Sequence, residues 1–281
     1  MTSFSAWSNG RGIVPRPAPA SGVASGVPFA VQVGLLTRRF VTNLLRQPAV
    51  LLPNLGISVF FLLVYYGSFG DSPAVVELTG GNYLNFVLPV TVLFASISGG
   101  AAGLTLVEDL ESGYFRRQLA MPLSRTAIVL SAMLLGAIQV TVEAILIIGV
   151  GLILGADPAA GAPGLLAVLF FSLLWGLGFA GYSVATGLLT GNARAAQSAT
   201  FIFFPLLFLA PVFLPFDQLA PWIQVVARIN PTTYMLEGMR SLMIDGWVAW
   251  PLAKAMIAGS LFAGITLTWA ARVAVRKTSR S

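Results

Sequence analysis

Glu143 is an ionisable side chain set inside a long uncharged run, with Gln139 one helical turn before it. A carboxyl group at that depth is costly, so it either works or is sealed by a neighbour. Two chemistries are open to it: a proton site of a secondary carrier, or a hydrogen bond from the Gln139 amide that joins helices. A second constellation is the charge-dense run from Glu108 to Arg125, in which Glu108, Asp109 and Glu111 precede Gly113, Arg116 and Arg117. Acids before bases suit a short helix and its dipole, and Phe115, Leu119 and Leu123 would share one stripe until Pro122 ends the helix. Such a segment offers charge and an apolar ridge to a partner, or is simply a solvated loop. A third begins at Asn230-Pro231, a cap followed by a residue whose missing N–H costs nothing at the first helical position. The helix it starts would run to about Ile244 and bring Tyr234, Glu237 and Arg240 together at three-residue intervals, where Glu237 and Arg240 would neutralise each other.

What is missing narrows the chemistry further. The chain has no Cys and no His, which excludes thiolate nucleophiles, disulfides, zinc sites and Ser-His-Asp triads. Its lysines are Lys254 and Lys277, and neither follows the Gly-rich loop of a nucleotide site. Neither a metal nor a cofactor is expected on this chain.

The elements that hold these residues are dictated by composition. Of 281 residues, 57% are hydrophobic and 9% charged, against about 25% charged in soluble domains. Uncharged intervals run over 47–70, 78–107, 126–142, 144–156, 158–193, 195–216 and 255–271. A helical crossing needs about 20 apolar residues. Joining the intervals that flank Glu143 predicts six spans: Leu51 to Phe69, Tyr83 to Val107, Ile128 to Leu154, Leu165 to Leu189, Ala196 to Leu214 and Leu252 to Ala271. The expected class is an all-α polytopic membrane protein in contact with the bilayer. Residues 1–27, rich in Gly, Pro, Ser and Ala, read as a disordered cytoplasmic tail. Residues 28–47 read as an amphipathic interfacial helix, with Phe29, Val33, Leu36, Phe40 and Leu44 on one face. Residues 48–281 form the six-span domain.

Orientation follows from the basic residues. With the N-terminus inside, only Arg228, Arg240 and Lys254 of the 16 Arg and Lys fall outside, so both termini are expected in the cytoplasm. The net charge of +6 is then topological, and no nucleic-acid partner is expected. Residues 108–125 become a cytoplasmic connection and 215–250 an external one. The external stretch is too apolar for a solvated loop and predicts a re-entrant helical hairpin, with Trp222, Trp247 and Trp250 at the interface. Phe201, Phe204 and Phe208 share a face of the fifth span and line an apolar route or meet lipid. The run from Ser96 to Gly103 predicts close helix packing.

Three of these motifs together resemble a known family. The run Glu108-Asp109 through Gly113, Arg116 and Pro122-Leu123-Ser124-Arg125 is similar to the cytoplasmic segment of the ABC exporter permeases of the second export type, in particular the daunorubicin-resistance-like multidrug permeases. Gly191-Asn192-Ala193-Arg194-Ala195-Ala196-Gln197 resembles the family's fourth connection. Pro221-Trp222-Ile223-Gln224, Asn230-Pro231-Thr232-Thr233-Tyr234, Glu237 and Arg240 resemble the signature before its last span. The resemblance covers the chain from about Pro28 onward. It departs at Ala210-Pro211, where many members carry Ser-Gly. It implies a half-transporter: two permease copies, as a homodimer or with a similar chain, and separate ATP-binding subunits that hold ATP and Mg. Residues 108–125 would then be the coupling helix, and Asn230, Pro231, Tyr234, Glu237 and Arg240 part of an external gate. The expected setting is a bacterial plasma membrane, and the expected cargo an amphipathic drug-like molecule or lipid. Polysaccharide or glycolipid export, a proton-coupled carrier using Glu143 and a membrane scaffold are the alternatives.

Overall fold

The computed structural model describes residues 28–45, 48–96, 102–103, 106–107, 124–200 and 202–278. The expected tail at 1–27, the segment carrying Glu108, Asp109, Glu111, Gly113, Arg116 and Arg117, and Phe201 lie outside the described residues. Among those described, the chain is helical throughout its regular structure: α1 (Phe29–Leu45), α2 (Pro48–Phe69), α3 (Pro73–Leu78), α4 (Tyr83–Ala95), α5 (Arg125–Ile153), α6 (Gly161–Thr190), α7 (Ala193–Thr200), α8 (Phe203–Phe208), α9 (Pro221–Ile229), α10 (Pro231–Ile244) and α11 (Ala249–Thr278). Three stretches, Thr126–Ile153, Gly161–Thr190 and Ala249–Arg276, are each long and apolar enough to cross a bilayer. The protein is an all-helical polytopic membrane protein.

α6 is the hub. It packs along α5 on one side and α11 on the other, and small residues make the approach close. A Cβ added at Gly181 would sit 2.6 Å from both the Met133 side chain of α5 and Thr266 of α11. The helix ends at Gly191 in the left-handed conformation (φ 63°), which a side chain would strain. All 13 residues of α4 are buried, enclosed by α2, α5 and α10. Two apolar clusters fill the bundle. One, at the α10 end, joins Leu84, Leu88, Val168, Trp175, Met235 and Met239. The other, at the α1 end, joins Phe40, Ile128, Met133, Val184 and Leu188.

One expectation is revised. The fifth span is not one helix over Ala196 to Leu214. It is split into α7 and α8, and 209–215 is irregular. The ladder runs out after α8: Leu209 N still donates to Pro205 O, but Ala210 N reaches only to Leu207 O, and Val212 N turns back to Ala210 O. Pro211 and Pro215 have no N–H to continue a ladder. The apolar stripe of α1 packs in part against the bundle. Val33, Leu36 and Phe40 are buried, the last two in the core at the α1 end, while Phe29 is half exposed.

Candidate functional site

α9 and α10 form a hairpin whose arms hold 9 and 14 residues, too short to cross about 30 Å of hydrocarbon at 1.5 Å per residue. Pro221 opens the first arm, and Asn230-Pro231 opens the second. The Asn230 side chain does two jobs. Its Oδ1 accepts from Thr232 N at 3.0 Å, while its Nδ2 donates to Leu206 O in the broken fifth segment. Tyr234 donates its hydroxyl to Arg228 O across the hairpin bend.

Arg240 is the centre of this end of the molecule. It is buried, and its Nη1 donates to Pro211 O at 2.9 Å, its Nε to Phe86 O at 3.2 Å and its Nη2 to Val212 O at 3.5 Å. The guanidinium carbon lies 3.5 Å from the centroid of the Phe86 ring. The proline-broken stretch leaves carbonyls without helical amides, and the guanidinium fork supplies donors in their place. Burial pulls Arg240 down to about 9, with Glu237 and Tyr83 acting the other way, so it stays protonated at neutral pH. Asn230 therefore pins α10 to α8, and Arg240 pins it to the irregular stretch that follows and to α4.

The expected Glu237–Arg240 pair is replaced by a different arrangement. Glu237 forms its ion pair with Lys254 of α11 at 3.8 Å, both side chains about a third exposed (30% and 32%). Arg240 points instead to the carbonyls, because their demand for donors is buried and that of Glu237 is met at the surface. Burial raises the Glu237 carboxyl above its ordinary range, and Lys254 then Arg240 pull it partly back.

Two further contacts close this end, and neither was foreseen from sequence. Asn85 Oδ1 accepts from Asp157 N at 3.0 Å and its Nδ2 donates to Asp157 O at 2.6 Å. The same loop donates from Ala159 N to Met243 O and from Ala160 N to Leu242 O, each at 3.0 Å, capping the end of α10. The available signal was Asn85 itself, an amide in the otherwise apolar start of a span.

Deeper in the bundle, Gln139 Nε2 donates to Glu143 Oε1 at 3.3 Å, with both residues 1% exposed. Phe204 and Phe208 are half-buried on α8. They pack on Phe94, at 6.0 and 5.5 Å between centroids, and Phe94 stacks on Phe61 at 4.9 Å. At the opposite end, Ser124 N donates to Gln32 Oε1 at 2.8 Å, tying the start of α5 to α1.

Residues 31–244 match the family model described as ABC-2 type transporter. The chain belongs to the ABC-2 type transporter family. It is 27% identical over 217 residues to the putative transport permease ycf38 of Cyanophora paradoxa, covering 76% of this chain and 74% of that one. It is 24% identical over 230 residues to the daunorubicin resistance ABC transporter permease protein DrrB1 of Streptomyces coeruleorubidus, covering 81% and 78%. It is 23% identical over 230 residues to the probable doxorubicin resistance ABC transporter permease protein DrrC of Mycobacterium tuberculosis, covering 82% and 83%. As an ABC-2 permease the chain is the membrane component of an ABC exporter, a transport subunit whose family works with an ATP-binding partner. The matched region holds both the clamp at Arg240 and the buried pair at Glu143.

Proposed function

We propose that this chain is the permease subunit of an ATP-driven exporter that moves an amphipathic drug-like molecule or lipid from the cytoplasm or inner leaflet outward; the names of two relatives, which carry daunorubicin and doxorubicin resistance, support the drug-like cargo. Two copies assemble with separate ATP-binding subunits, which hold ATP and Mg. Six segments cross a bacterial plasma membrane with both termini inside, and residues 108–125 form the coupling contact. The observation that carries the reading is the closure at the hairpin end. A short helix pair is pinned by Asn230 and Arg240 across a broken helix, so a small set of bonds can be made or released to seal or open a pathway. In this cycle, ATP-driven closure of the partner subunits presses on residues 108–125 and switches access between the two sides.

Inverted vesicles containing the permease and its ATP-binding subunit test this. Doxorubicin fluorescence should fall on addition of ATP and Mg and should not respond to a pH gradient alone. The buried Glu143 supports one rival, a proton-coupled carrier. Glu143→Gln keeps a hydrogen-bonding amide beside Gln139 and buries no charge, so ATP-driven uptake should persist. Uptake driven by a pH gradient and abolished by Glu143→Gln would establish the rival instead.

A further inference from the structure

Of the three helices long and apolar enough to cross a bilayer, α11 is the least enclosed: only 22% of its most apolar window is buried, against 56% for α5 and α6. On this open side a trough of about 520 Å³ runs between the hairpin and α11, with Ile257, Leu261 and Ile265 along its floor and Ile229 and Pro231 on its wall. Those three isoleucine and leucine side chains are 59–66% exposed. From Lys254 at the rim to Ile265 is 11 residues of helix, about 16 Å, which equals the depth of one bilayer leaflet, about 15 Å. The rim is cationic and aromatic. Lys254 Nζ lies 5.7 Å from the Tyr234 ring and 5.4 Å from the Trp250 ring. Of the other basic residues at this end, Arg240 is spent on carbonyls and Arg228 lies over Phe216. The Lys254–Glu237 contact of 3.8 Å is looser than a charge-assisted hydrogen bond of about 2.7–2.9 Å, so an anion can share the ammonium.

We propose that this trough binds one anionic phospholipid of the leaflet at the hairpin end, one acyl chain lying along Ile257, Leu261 and Ile265 and the phosphate on Lys254. Apolar depth selects the chain, and the single cation at the interface selects the headgroup. Which leaflet supplies the lipid rests on the orientation proposed above. Binding itself does not, and it is measured on the permease alone, so a failed transport reading leaves the result interpretable.

The test is native mass spectrometry of the purified permease titrated with palmitoyl-oleoyl phosphatidylglycerol or the matching phosphatidylcholine. One phosphatidylglycerol should be retained about fivefold more tightly than phosphatidylcholine, the worth of one interfacial lysine. Lys254→Met should remove that preference, and Glu237→Gln, which frees the ammonium, should increase it. Ala258→Trp fills the trough and should abolish the one-to-one adduct with either lipid. Equal retention by the wild type, an undiminished preference in Lys254→Met, or a retained adduct in Ala258→Trp overturns the proposal. Conversion of a dimer to a monomer by Ala258→Trp with lipid binding unchanged does so too, since the trough would then be a contact with a second copy. Lys254 is at the rim and partly exposed, so Lys254→Met decides the headgroup claim even if Ala258→Trp does not accumulate.

Discussion

A guanidinium surrounded by the carbonyls of Phe86, Pro211 and Val212 has no neutral substitute of the same reach. Arg240→Met strands these acceptors in a buried setting, and at about 1.5–3 kcal/mol for each bond to a charged donor the loss should be on the order of 4 kcal/mol once partial compensation is allowed. Arg240→Lys can satisfy one carbonyl well and should fall between. Thermal unfolding of the detergent-purified protein measures both. Glu237 behaves differently because its partner is Lys254. Adding Glu237→Gln to Arg240→Met should recover nothing, whereas recovery would restore the ion pair expected from the three-residue spacing. The pH dependence has a definite sign. Burial raises the Glu237 pKa, so the folded state holds the proton more tightly than the unfolded chain. The protein should gain stability as pH falls through the folded value toward the ordinary carboxylate value of about 4.3. Glu237→Gln is neutral throughout and should show a smaller gain as pH falls from neutral toward that ordinary value. An identical acid response in the two proteins would remove burial as the cause. The spacing made Glu237 and Arg240 conspicuous in the sequence. Their partners were not legible there, because Pro211, Val212 and Lys254 are distant in the chain and meet them only after α10 folds back.

At the level of the helix, the long spans were legible because charge is nearly absent from them, over 158–193 in α6, over 255–271 in α11 and over 126–156 in α5 apart from Glu143, and α5 and α6 fall within a few residues of where that rule puts them, while α11 runs on to Thr278. The fifth span shows where the rule fails. Apolarity over Ala196 to Leu214 predicts one membrane helix, but Pro211 and Pro215 end the ladder after α8, and Asn230 and Arg240 hold α8 and the irregular stretch that follows. Asn230 therefore carries more than a helix cap. Asn230→Ser keeps an oxygen for Thr232 N but cannot reach Leu206, while Asn230→Ala loses both contacts. If the tether matters, the serine variant should be destabilised by about 1 kcal/mol and the alanine variant by about 2 kcal/mol or more. A serine variant as stable as the wild type would reduce Asn230 to a cap. Close packing gives a separate test. A Cβ at Gly103 would run into the backbone of Ser183 on α6, whereas at Gly149 it would meet nothing within 4 Å. Gly103→Ala should cost about 1–3 kcal/mol, and Gly149→Ala should be neutral or stabilising by up to about 1 kcal/mol.

Across the whole molecule, α5 is the element that connects the proposed ATPase contact to the closure at the hairpin. It starts at Arg125, the last residue of the proposed coupling run, and its 29 residues make a rod about 43 Å long. Its near end is tied to α1 through Gln32 and Ser124. Its far end leads into the loop that bonds Asn85 of α4 and the last carbonyls of α10. If residues 108–125 take the stroke as proposed, a push there reaches the closure at the hairpin along α5, without passing through α11. The two ends of that rod should fail in different ways. Reversing charge at Glu111, Arg116 and Arg117 together should lower recovery of the ATP-binding subunit or its substrate-stimulated hydrolysis, with the permease still inserted. Asn85→Leu removes both side-chain bonds to Asp157 and leaves the coupling run untouched. The complex should then assemble and hydrolyse ATP near the wild-type rate while export per ATP falls severalfold, because the stroke arrives at a loop no longer fastened to α4. Hydrolysis and doxorubicin uptake measured on the same vesicles separate these cases. Wild-type export by Asn85→Leu would show that the loop contact does not transmit the stroke, and equal loss of hydrolysis and export in both variants would show that α5 does not divide the task between its ends.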